Sequence, residues 1–108
     1  MATDFQATPE DLLAGASVTF EIVLPADLLQ RSSGNLTVQL RPVTIGAFQL
    51  IMKAARQEDS LIPLLLIKES LVQPTLSLEQ IKQLPLGLVN FLIAHIREIS
   101  GLSEKKSN

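Results

Sequence analysis

The chain has 108 residues, 46% of them hydrophobic and 19% charged, including twenty Leu, nine Ile and four Phe but no Trp, Tyr or Cys. That length suits one domain around a single apolar core. Nine Lys and Arg against eleven Asp and Glu leave a formal charge of -2, so nucleic-acid binding lacks both neutralising charge and stacking platforms, while the absence of Cys removes disulfides, thiol nucleophiles and thiolate metal sites.

Met1 to Glu10 reads MATDFQATPE, without the basic flank and apolar run of a targeting leader, so a cytoplasmic product is expected. Residues 1–16 are expected to be a flexible N-terminal segment. Residues 17–41 read as a β-hairpin. In the first strand Val18, Phe20, Ile22 and Leu24 fall on one face and Thr19 and Glu21 on the other; in the second, Leu36, Val38 and Leu40 oppose Thr37, Gln39 and Arg41. The connection PADLLQRSSGN carries Pro25, Gly34 and Asn35, as a long turn requires. Its Leu28 and Leu29 are anomalous in so polar a segment: the pair either folds back on the hairpin or waits for a partner.

After Pro42 the apolar period changes to about 3.6, and residues 42–102 read as helical. Thr44 suits an N-cap, followed by Ile45, Phe48, Ile51, Met52 and Ala55 at helical spacing up to Arg56. Asp59 or Ser60 can cap a second helix, which tolerates Pro63 in its first turn and runs to about Val72. Pro74 breaks the chain, and Ser77 with Gln80 forms a capping-box pattern for a short helix over Leu78 to Leu84. Pro85 opens the last helix, whose Leu88, Val89, Leu92, Ile93, Ile96 and Ile99 form an apolar face, and Gly101 suits its left-handed terminal position. Residues 103–108 (SEKKSN) read as a flexible tail. The longest apolar stretches, 61–67 and 84–96, fall short of the ~20 residues that span a bilayer. The fold class predicted is α+β: an N-terminal two-stranded antiparallel hairpin packed on a C-terminal bundle of three to four helices, in a single domain.

The search for chemistry is nearly empty. His95 is the only side chain with an unperturbed pKa near neutrality, and it sits one turn after Phe91 and beside Ile96, as a structural histidine would. Glu58 with Asp59, and Glu98 with Glu104, fit solvated turn or capping roles. No phosphate-binding or zinc-hydrolase motif is present. The reading is therefore non-enzymatic, with no metal, cofactor or small-molecule substrate. Attention shifts to the run Leu61 to Ile67, in which every residue is Leu, Ile or Pro. A helix apolar all round must be covered all round, either by the rest of the domain or by another copy or another protein. Leu28, Leu29, Leu65 and Leu66 are the candidate contact residues, with Arg31, Lys68 and Glu69 as rim charges that set orientation.

The stretch from Ile22 to Leu102 resembles the small baseplate-hub assembly and tail assembly chaperone proteins of contractile-tailed bacteriophages and related contractile injection systems. The resemblance is carried by IVLP at Ile22 to Pro25, the Gly34 loop, VQLRPVTIGAF from Val38 to Phe48, and LIAHIREISG from Leu92 to Gly101. Arg41, Thr44, Arg97 and Gly101 occupy the corresponding positions; the heavy aliphatic run at Leu61 to Ile67 departs from the group. The resemblance implies a protein that helps build a tail-like machine, by holding an aggregation-prone partner or by seeding a hub or baseplate, either transiently or as a retained subunit. The alternative is a homo-oligomeric interaction module of adaptor or antitoxin type. A third reading is an enzyme whose site forms only between subunits.

Overall fold

The period-two segments form an antiparallel pair, β1 (Phe20–Leu24) and β2 (Leu36–Leu40), with Ile22 opposite Val38 and Leu24 opposite Leu36. In the computed structural model, which describes residues 6–29 and 36–102, the hairpin is extended to a three-stranded sheet in the order β1-β2-β3 by a short strand, β3 (Leu71–Gln73). The helix expected to reach Val72 ends at Ser70 instead. Pro74 disfavours helical backbone at Gln73, and pairing of Leu71 with Leu40 and of Gln73 with Gln39 gives this segment's polar backbone groups partners.

Polar contacts fasten this junction. The Ser70 hydroxyl donates to the Arg41 carbonyl at 2.6 Å, and the Arg41 N–H donates back to the Ser70 carbonyl at 2.9 Å. Arg41 also donates from Nε to the Glu69 carbonyl at 3.0 Å and pairs with the Glu69 carboxylate at 3.4 Å. Ser70 has no exposed surface, so these bonds satisfy a serine that would otherwise carry a desolvation penalty.

Two of the helices start at the caps read from the sequence, Thr44 and Ser77, and the last ends at its expected glycine. α1 is introduced first in the chain, over Pro9–Leu13, and a 3-10 turn, Ala14–Ser17, extends it. α2 (Ile45–Ala54) starts at Thr44, whose Oγ1 accepts from the Ala47 N–H at 3.2 Å. α3 (Leu61–Ser70) has Pro63 in its first turn, but Ser60 does not cap it; its hydroxyl donates to the Glu58 carboxylate at 3.1 Å. α4 (Leu78–Ile81) carries the Ser77–Gln80 capping box, and α5 (Leu86–Ile99) closes with Gly101 at φ 79°. The Leu102 N–H reaches the Arg97 carbonyl at 2.7 Å and the Gly101 N–H the Glu98 carbonyl at 3.1 Å, the paired bonds of a Schellman ending.

The core lies where the inner face of the sheet meets α3, α4 and α5. Leu40, Ile67, Ile81 and Ile96 are its most deeply buried apolar members, joined by Leu24, Val38, Leu71, Leu88, Val89 and Leu92. Serine 70 offers a direct test of the junction. Ser70→Ala should lower unfolding stability by about 1–3 kcal/mol in a chemical denaturation series, the usual consequence of removing one partner from a buried bond; an unchanged midpoint would show that the Arg41 carbonyl finds another donor.

Candidate functional site

Within α2, residues three and four apart share a side. Ile51 and Ala55, just past its end, are buried against the body. Ile45, Phe48 and Met52 lie to one side and Leu50 and Ala54 to the other. These flanks stay largely uncovered: Ile45 is 75% exposed and Leu50 68%. α2 packs chiefly on α3, so it forms the rim of the domain.

A cleft adjoins each flank. The first, a cavity of about 460 Å³, has an apolar lining of Val43, Ile45, Phe48, Ile62, Leu66, Ile96 and Leu102. The Val43 N–H donates to Ser100 Oγ at 2.9 Å, tying the start of α2 to the end of α5 at this cleft. Arg97, which donates to the Leu102 carbonyl at 3.3 Å, is its one charged lining residue. The second cleft, about 320 Å³, is bounded by Arg41, Leu50, Ala54, Leu65, Lys68 and Glu69. Its Glu69 is held by Arg41, leaving Lys68 exposed at the edge.

The contact residues expected from the sequence therefore do not form one surface. Leu65, Lys68 and Glu69 share the second cleft, whereas Leu66 lies in the first, on the other side of α2. Leu28 and Leu29 occupy a 3-10 turn, Ala26–Leu29. The pair folds back, but onto the start of α5 as well as the core: Leu29 packs against the buried cluster, and a Leu28 methyl comes within 3.2 Å of the position a β-carbon would take at Gly87. Arg31 lies outside the described residues. The all-apolar helix α3 is half-covered throughout Leu61 to Leu66 and fully buried at Ile67, with α5, α2, α4 and β3 around it. Most of its cover thus comes from its own domain.

Helical spacing groups Ile45, Phe48 and Met52 with Ile51 and Ala55, but the structure buries only the last two. Period alone could not separate the first three from these; the available signal was Leu50, an apolar residue off the stripe. The N-terminal helix was also missed, although Thr8, Pro9 and Asp11 are its start signals. In this helix the Thr8 N–H donates to the Asp11 carboxylate at 2.9 Å and the Asp11 N–H to Thr8 Oγ1 at 3.2 Å. These bonds, the backbone one foremost, hold the Asp11 carboxyl below its ordinary pKa.

His95 stacks on Phe91 with ring centroids 4.5 Å apart and a tilt of 54°, and its Nδ1 lies 3.9 Å from Glu98. It lines none of the clefts described here. Among the described residues no three His, Cys, Asp or Glu side chains gather in a way that could hold a metal ion, and no helix is long and apolar enough to cross a membrane. Compared with protein-family models, curated proteins and solved structures, the chain matches none.

Two outcomes follow from this geometry. Leu50→Ser should change folding stability by no more than about 0.5 kcal/mol, as befits an exposed site, whereas Leu88→Ser in the core should lose several; equal losses in thermal melts would show that Leu50 is a core residue. Asp11 sets a pH dependence. Because its folded pKa is depressed, its carboxylate stabilises the capping box above the unfolded pKa, and that contribution fades as the pH falls through the folded value. NMR shifts of residues 8–13 should thus move toward coil values below about pH 4 while core methyl signals persist, and an arm helix unaffected down to pH 2 would remove the role given to Asp11.

Proposed function

We propose that this protein is a non-enzymatic assembly or chaperone-like component of a phage-tail-like contractile system, which binds an apolar segment of a tail, hub or baseplate protein along α2 and its second cleft. The observation carrying this reading is the uncovered apolar side of α2 beside a cleft that ends in charged groups. Leu50, Ala54 and Leu65 supply the apolar contact; Lys68 and the Arg41–Glu69 pair form the polar rim. An apolar centre with a charged edge is the usual anatomy of a protein interface. Full burial of one leucine such as Leu50 contributes ~1.5–3 kcal/mol, so a few of them support a useful affinity. The tail system, as against any other assembly, is supported by the resemblance in VQLRPVTIGAF and LIAHIREISG.

The reading as a self-associating module is favoured by a separate observation, the N-terminal arm. Affinity capture from cells assembling a contractile tail, with mass spectrometry, tests the leading reading. A tail, hub or baseplate component should be retained by the parent chain and reduced at least tenfold by Leu50→Ser with Leu65→Ser, provided that circular dichroism shows the variant folded. Absence of such a component, or retention indifferent to both substitutions, would overturn it.

A further inference from the structure

We propose that the acidic N-terminal arm of one copy docks into the first cleft, between α2, α3 and the end of α5, of a second copy of this chain. The inference is independent of the tail partner, which is assigned to the opposite side of α2.

The arm is an ordered element without a visible reason to be ordered. Every residue from Gln6 to Glu21 is exposed, and Leu12 and Leu13 are 77% and 67% exposed. α1 has five residues, and isolated helices shorter than about 12–15 residues are marginal in water even with good propensity. A capping box and a proline at the first turn favour the helix locally, but two adjacent exposed leucines add nothing to it unless something covers them. Its only substantial packing is with the 3-10 turn that follows it.

The first cleft has what the arm lacks. Its lining is aliphatic and aromatic, and at about 460 Å³ it has room for two leucine side chains, roughly 240 Å³ if each carbon takes about the ~30 Å³ share of a water molecule. The charges also match. Before Arg31 the sequence has no Lys or Arg, and the first turn of α1 carries Glu10 and Asp11; the cleft's single charged residue is Arg97, which makes no ion pair among the described residues.

The arm does not lie in its own cleft. Leu12 and Leu13 stay exposed, and no residue of the arm lines that cleft. Each copy therefore offers one unfilled apolar cleft and one uncovered apolar arm. Reciprocal exchange satisfies both in a closed two-fold dimer.

The test is a complementation experiment on the full chain. Light scattering should give twice the 11.8 kDa chain mass. Leu12→Glu with Leu13→Glu in the arm, or Ile45→Glu at the cleft, should each raise the dimer dissociation constant by roughly a hundredfold or more, with core methyl spectra unchanged because all three residues are exposed. Mixing the two variants should restore a dimer, since one contributes a sound cleft and the other a sound arm. In a mixture of isotope-labelled and unlabelled chains, Leu12 and Leu13 should show contacts to Phe48, Ile62 and Leu66 across copies. A monomeric parent, a dimer indifferent to these substitutions, failure of the mixture to recover, or arm-to-cleft contacts confined to one copy would overturn the proposal. Leu50→Ser with Leu65→Ser should leave the dimer intact while reducing tail-component capture, so the two readings fail separately.

Discussion

The reciprocal bonding of Arg41 with Ser70 is the constraint on which the arrangement turns. Arg41 directly follows the second strand and Ser70 ends α3, so one backbone bond and one from the Ser70 hydroxyl join the sheet to the helical layer where both change direction. The position of α2 follows. Four residues after Leu40 the chain reaches its cap at Thr44, and Ser100 holds Val43 against the end of α5. With both ends of the β2–α2 link fixed, α2 can settle only along the rim of α3, and the clefts on its sides are the space left between elements that are already anchored.

That placement decides how the abundant aliphatic residues are used. α3 has no polar side before Lys68, yet it is the helix with neighbours on most sides, and none of its residues from Leu61 to Ile67 is exposed. α2 has a clear stripe but only one principal neighbour, so Ile51 and Ala55 are buried and Ile45 and Leu50 are not. The uncovered apolar surface therefore depends on how many elements surround a helix and not on how apolar the helix is. Exposed single leucines are common on protein surfaces; here they adjoin concave lining, and continuity with a cleft is what gives a patch significance.

The same reasoning explains what could be read in advance. Alternation fixed the hairpin and its facing residues, because a strand with one buried face repeats every second residue. Thr44, Ser77 with Gln80, and Gly101 were legible because caps are local chemistry. Ser60 was not, since its hydroxyl had an equally close partner in Glu58. β3 escaped notice because Leu71 and Val72 continue the helical apolar run, and only pairing with a distant strand makes them extended. The contact set of Leu28, Leu29, Leu65 and Leu66 combined residues that a three-dimensional neighbour separates: α2 lies between the clefts that Leu65 and Leu66 line, and the start of α5 and the core take up the loop pair. Apolar content showed that cover was required, while the identity of the covering element depended on packing that no local window contains.

The buried polar inventory bears on how association could occur. Among the described residues, every buried side-chain nitrogen and oxygen has a partner, so no unsatisfied polar group in the monomer waits for a second chain to complete it. Binding at α2 has to draw on apolar burial, which is non-directional and tolerant of sequence in the partner. Orientation must then come from the few charges placed at the edges: Lys68 and the Arg41–Glu69 pair on one side, Arg97 on the other. Two clefts that share a helix but differ in rim charge can thus distinguish two apolar ligands that burial alone would not tell apart.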